Sequence, residues 1–144
     1  MIPEELLPSL QGIVPATIIT TTKELMPNAS IISQVFPVDD THVAISNQFF
    51  SKTFRNLQEN PFAQVQVQHP ENFFPYLLNL KLVRIETSGD LFEAMEMQME
   101  AISSMTGMSD VFKLQSCYVF EILSIEDFNH ESTPKSRFCR FTPY

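Results

Sequence analysis

Apolar and polar residues alternate with period two along much of the chain, which marks it as a β protein. The clearest case is FAQVQVQ over 62–68. There Phe62, Gln64, Gln66 and Gln68 fall on one side and Ala63, Val65 and Val67 on the other, predicting a half-buried strand. The β-branched run ATIITTT over 16–22 predicts another strand. After a turn at Pro27-Asn28, a strand over 29–38 completes a hairpin with it. In that second strand Ser30, Ile32, Gln34 and Phe36 share one face, and Ile31, Ser33 and Val35 share the other. Each face mixes polar with apolar side chains, as in a strand that touches a ligand. A short buried strand HVAI (42–45), a long strand YLLNLKLVRIET (76–87) and a last strand QSCYVFEILSI (115–125) complete six.

Helical spacing appears three times. Leu6, Leu7 and Leu10 follow Pro3-Glu4-Glu5 and precede Gly12, predicting a short amphipathic helix over 3–11. A second short helix starts near Ser51 and closes at Asn60-Pro61, since the residue before proline is pushed out of the helical region. The third runs from Leu91 to about Met105 after Ser88-Gly89-Asp90. Its apolar stripe is Leu91, Met95, Met99 and Ile102, with Phe92 and Met105 beside it and Glu93, Glu96 and Glu100 opposite. Methionines in that pattern fill a core. Asp39 and Asp40 sit in the turn 38–41, where aspartates bond the local backbone. The expected fold is mainly β (α+β): a six-stranded antiparallel barrel with a short N-terminal helix and one longer helix before the last strand.

The chain has 144 residues, 44% hydrophobic and 18% charged, which fits one packed domain over 1–144, with a core at about 10–126 and a tail over 127–144. A net charge of -8 excludes a general nucleic-acid surface, because such surfaces neutralise phosphate with Lys and Arg. Any anion site is therefore local. Cys117 and Cys139 have no CxxC spacing and fit a reduced, cytoplasmic chain. The acidic, proline-bearing N-terminus is not a signal peptide, and no run of 18 apolar residues predicts a membrane span. Glycine-rich nucleotide loops, HExxH, GxSxG and Cys/His metal spacing are absent. The three histidines, His42, His69 and His130, have no nucleophile or carboxylate at a matching spacing and read as structural or solvent-facing rather than catalytic.

Residues 41–61, THVAISNQFFSKTFRNLQENP, hold most of the remaining signal. A strand, the polar turn Ser46-Asn47-Gln48, and Ser51-Lys52-Thr53 at a helix start follow one another. A helix start offers unpaired N–H groups and a positive dipole end, to which Lys52 adds a full charge and two hydroxyls add donors. That order suits a phosphate. On spacing alone it equally suits a capped helix with a surface lysine.

Asn28-Ala29-Ser30 with 31–35, then Val38-Asp39-Asp40, His42 to Ser46, Phe50 to Thr53 and Asn56-Leu57 to Asn60-Pro61, resembles the flavin-binding half of the pyridoxamine 5′-phosphate oxidase-like family. The passage 84–92, RIETSGDLF, resembles that family's strand-to-helix junction. The resemblance spans roughly 10–125 and implies a split β-barrel, a homodimer, and flavin mononucleotide (FMN) in the cleft between subunits. It implies that Lys52, Ser51 and Thr53 bind the phosphate and that Ser46, Asn47 and Gln48 lie along the ribityl chain or ring edge. Ser30 and the backbone of Ile32, Ser33, Gln34 and Val35 would line the isoalloxazine, and Arg84 would reach the cofactor from the neighbouring strand. Oxidases acting on the vitamin carry an arginine pair where this chain has Ser30 and Ser51, which points away from that particular activity.

These features lead to an FMN-binding oxidoreductase with an unassigned small-molecule substrate and no metal. A non-catalytic cofactor-binding or redox-sensing module on the same barrel is the alternative, and haem or a deazaflavin is the other ligand such a barrel could take. When bound, the flavin carries the hydride or electron chemistry, and the protein supplies binding and orientation.

Overall fold

Seven strands form one antiparallel sheet in a computed structural model that describes residues 2–47, 52–106 and 114–127, leaving out the side chains of 47 and 102–106. They are β1 (Ala16–Thr21), β2 (Pro27–Ile32), β3 (Phe36–Asp39), β4 (His42–Asn47), β5 (Phe62–Gln68), β6 (Pro75–Glu86) and β7 (Ser116–Asp127). Their order is β2-β1-β5-β6-β7-β4-β3, so β2 and β3 form the two edges and the sheet is not closed. Helices are α1 (Leu7–Leu10), which continues a 3₁₀ turn over Glu4–Leu6, then α2 (Lys52–Glu59) and α3 (Asp90–Thr106). Strand, hairpin and helix order follow the sequence expectation of a mainly β antiparallel fold with one longer helix before the last strand.

The strand count differs, because the expected strand over 29–38 is two strands. Ile32 and Val35 are both buried in the main core, while Ile31 is 76% exposed. Inward residues three apart cannot sit on one period-two face, so the chain bends over 33–35. The bend carries it from one edge of the sheet to the other. Val35 N–H donates to the Leu10 carbonyl at 3.0 Å, tying the bend to α1. Gly12, at φ +81°, lets the chain pass the same bend: a Cβ there would sit 2.4 Å from the Ser33 carbonyl oxygen.

Burial on β5 alternates as predicted, with Ala63, Val65 and Val67 inside. These join Ile18, Val43, Ile45, Leu57, Leu78, Leu80, Tyr118 and Phe120 in the main core. Each buried aliphatic or aromatic side chain there contributes about 1.5–3 kcal/mol relative to exposure. A smaller core lies outside the barrel wall, where Ala44, Cys117 and Val119 meet Met95 with Leu91, Phe92 and Met99 of α3. The N-terminal half of β7 is thus buried on both faces. The methionine stripe fills this core as expected; Ile102 and Met105 lie outside the described side chains. β6 and β7 run 12 residues each and shift register between Asn79 and Leu80 and between Leu82 and Arg84. Such bulges bend long strands, letting one pair serve both parts of the sheet.

Asp39 behaves as a turn aspartate should. Its Oδ1 accepts from Thr41 N–H at 2.8 Å and lies 2.9 Å from His42 Nδ1, and these partners hold its carboxyl down at about 2. Among the described residues no helix is long and apolar enough to cross a membrane. Among the described residues no group of three potential metal ligands occurs.

Candidate cofactor site

Helix α2 is placed by a series of polar contacts with β1 and β2. Ser30 Oγ lies 3.0 Å from Thr53 Oγ1, and Asn28 Nδ2 donates to both hydroxyls at 3.4 Å. One turn on, Asn56 Nδ2 donates to Thr20 Oγ1 at 3.1 Å, with both residues buried. At the helix end Asn60 Nδ2 donates to Thr21 Oγ1 at 2.7 Å, and Lys23 N–H donates to Glu59 Oε2 at 3.2 Å. These contacts recur at helical spacing because 53, 56 and 60 share one face. Leu57 enters the core beside them, and Phe54 meets Tyr118 of β7 at 6.0 Å between ring centroids. Helix α2 therefore spans the end of the barrel between β2 and β7.

The helix start projects charge outward. Lys52 is its first residue, exposed, and forms no ion pair among the described residues. Its first turn holds no acid, and Arg55 follows one residue beyond Phe54. Against a net charge of -8, this is a local cationic end to which the helix dipole adds. The donor set of an ammonium, a half-buried serine and a buried threonine hydroxyl fits a phosphate group.

The predicted residues fall into three groups. Ser30 and Thr53 meet directly, with Lys52 beside them in the chain. Ile32 and Val35 turn their side chains into the core, so only their backbone could face a ligand, and the Val35 N–H is already bonded to Leu10. Ser33 is exposed next to Gly12, and Gln34 Nε2 donates to Gln98 Oε1 of α3 at 3.1 Å. Ser46 is half-buried on β4 opposite Cys117, and Asn47 ends that strand opposite Ser116. Gln48 and Ser51 lie outside the described residues. Arg84 stands opposite Val119, itself opposite Ala44, which puts it two strands, about 9.6 Å, from β4. Its side chain is 50% exposed, with Nε 3.5 Å from Glu86 Oε2. Among the described residues no hydrogen bond or ion pair joins Arg84 or 33–35 to α2.

Asn28, Asn56 and Asn60 entered the sequence reading only as carriers of the resemblance, and Thr20 only as part of a strand, with no role at the site. Asn28 was visible in principle, since period two puts it on the same face as Ser30. The buried pair Thr20 and Asn56 is 36 residues apart and had no local signal.

Cys117 is a buried free thiol opposite both Ser46 and Glu86, and burial, with the Glu86 carboxylate second, pushes it up to about 11. Tyr118 beside it is pushed up to about 12, chiefly by burial. Neither group ionises near neutral pH, so neither is a ready base or nucleophile.

Comparison with known proteins gives the fold and the family. Among solved structures, an FMN-binding protein from Syntrophomonas wolfei matches with TM-score 0.71 and 19% identity, covering 88% of each chain. An F420 reductase matches with TM-score 0.63 and 13% identity over 87% of this chain and 98% of its own. HutZ, the heme storage protein from Vibrio cholerae, matches with TM-score 0.58 and 16% identity over 85% and 92%. At these identities the likeness is one of fold. No curated protein matches the chain. The family model for pyridoxamine 5′-phosphate oxidase matches residues 2–121, from the first described residue through the barrel into β7, and the chain belongs to that family.

Proposed function

We propose that this chain is an FMN-binding flavoprotein that works as a small cytoplasmic oxidoreductase and as a homodimer. The observation that carries the reading is the start of α2: Lys52 exposed and unpaired among the described residues, next to Thr53, whose hydroxyl meets Ser30 from β2. Lys52 and the first N–H groups of α2 take the phosphate dianion, and the Asn28, Ser30 and Thr53 contacts hold the helix start that presents them. The backbone over 32–35 and the Ser46-Asn47-Gln48 turn border the ring and ribityl chain, with Arg84 approaching from β6. Bound FMN supplies hydride or electron transfer, while these residues bind and orient it and shield it from water. The substrate is a small molecule of unassigned class.

Serine at 30 and 51, where vitamin-oxidising relatives carry arginine, favours a second reading in which the barrel binds its cofactor without turnover. The test is a fluorescence-quenching titration with FMN, run beside titrations with a deazaflavin and with haem. Saturable FMN quenching, followed by reduction with a nicotinamide cofactor and reoxidation with turnover, supports the enzyme. Tight binding without turnover supports the module. No FMN binding, with haem or deazaflavin bound instead, rejects both.

A further inference from the structure

The bend over 33–35 lies between two ladders. The β1–β2 register ends at the pair Ala16 and Ile32, and the β3–β4 register begins at Phe36 and Ala44. Contacts from two helical elements fix it instead. Val35 N–H donates to the Leu10 carbonyl at 3.0 Å, and both side chains are buried in the main core. Gly12 passes the Ser33 carbonyl so closely that no side chain fits between them. From the other side Gln34 Nε2 donates to Gln98 Oε1 of α3 at 3.1 Å. Four residues are too few for a helix to persist alone, so α1 stays in place through the burial of Leu6 and Leu10. Strand β2 runs from the start of α2 to this bend. Ser30 meets Thr53 beside Lys52, and Ser33 follows three residues later, about 10 Å along the chain. One short stretch thus has two ends held by different elements, α2 at the first and α1 with α3 at the second.

We propose that Leu10 and Gly12 of the N-terminal segment and Gln98 of α3 are positioning residues for the ring of the cofactor: they fix the bend that borders it, while α2 fixes only the phosphate. The inference rests on the FMN reading above. A ring bordered by backbone binds well only where that backbone is held to within about 0.5 Å. An alanine Cβ at position 12 would lie 2.4 Å from the Ser33 carbonyl oxygen, whereas ordinary contact begins at 3.4 Å, so the bend must move by about 1 Å. That exceeds the tolerance and pulls Val35 from Leu10. Removing the Gln98 carboxamide takes away one tie and leaves the other two, so its effect is smaller. Neither change touches Lys52, Thr53 or Ser30, and the phosphate end keeps its contacts. The ring and the phosphate are therefore separable in their response to substitution.

The test is quenching titration of the full chain with FMN and with riboflavin, and visible circular dichroism of the bound flavin, which reports how the ring is held. Gly12→Ala is expected to weaken both ligands alike, by about tenfold or more, and to change the dichroism. Gln98→Ala, on an exposed residue that leaves the fold intact, is expected to weaken both by about two- to threefold, and Gln98→Glu, which keeps an acceptor for Gln34, to restore them. Ile122→Ala opens a cavity in the barrel core away from the bend and is expected to lower stability with native affinity and dichroism. Native riboflavin affinity in Gln98→Ala or in folded Gly12→Ala overturns the proposal, and so does an Ile122→Ala loss equal to that of Gly12→Ala. A native chain that binds neither flavin refutes the cofactor reading and this one with it, whereas FMN binding that depends on Lys52 but not on Gly12 or Gln98 refutes this one alone.

Discussion

Replacing Gly12 with alanine tests how the split in the sheet is held. Gly12 sits at φ +81°, where an L side chain costs about 1–2 kcal/mol in backbone strain. Its added Cβ would also lie 2.4 Å from the Ser33 carbonyl oxygen and 2.9 Å from the carbonyl carbon. Both are backbone atoms, so the bend over 33–35 must move. That bend is tied down by Val35 N–H donating to Leu10 at 3.0 Å, and a buried donor pulled from its acceptor costs about 1–3 kcal/mol. The sum is about 2–5 kcal/mol. Gly89 supplies the control, since its φ is +102° and nothing lies within 4 Å of its built Cβ, leaving only the strain of about 1–2 kcal/mol. Urea unfolding of the two variants should therefore differ by about 1–3 kcal/mol, with Gly12→Ala the less stable. Equal losses would refute the contact between residue 12 and the bend.

The buried pair beneath α2 calls for a double-mutant cycle. Thr20→Val and Asn56→Ala should each cost about 1–3 kcal/mol, and the double variant should recover about 0.5–1.5 kcal/mol of the sum, measured by urea unfolding. Cys117 predicts an alkaline limit. Its pKa is raised in the folded state, so its contribution is fully present below the unfolded value of 9.0 and is lost as pH rises through about 11. Stability should fall across that window, and Cys117→Ala should flatten the fall.

The parts of the fold that were legible are those whose signal is local. FAQVQVQ declares its own two faces, and the Leu91–Met99 stripe declares which side of α3 packs. The break over 33–35 was not legible, because the mixing of polar and apolar residues on each face of SIISQVF was read as ligand contact along one strand. What divides it is Leu10 and Gly12 arriving from α1, a tertiary contact. Likewise QSCYVFEILSI reads as one buried strand, yet it takes the second core, built by α3 with Phe36, Val38 and Leu114, to make Cys117 and Val119 as buried as Tyr118 and Phe120. At the candidate site the Ser51-Lys52-Thr53 order marked the helix start, but Thr53 turns inward to Ser30 while Lys52 points out. A hydroxyl's partner on a strand 23 residues earlier leaves no trace in spacing.

The account rests most directly on Lys52 as the cation that meets a phosphate. Fluorescence-quenching titration of FMN into the native chain and into Lys52→Ala, compared with riboflavin, which lacks the phosphate, measures that claim. The account predicts saturable FMN binding that Lys52→Ala weakens by about 1.5–3 kcal/mol, roughly tenfold or more, with riboflavin affinity little changed between the two proteins. Equal FMN affinity in both, or no FMN binding by the native chain, would contradict it.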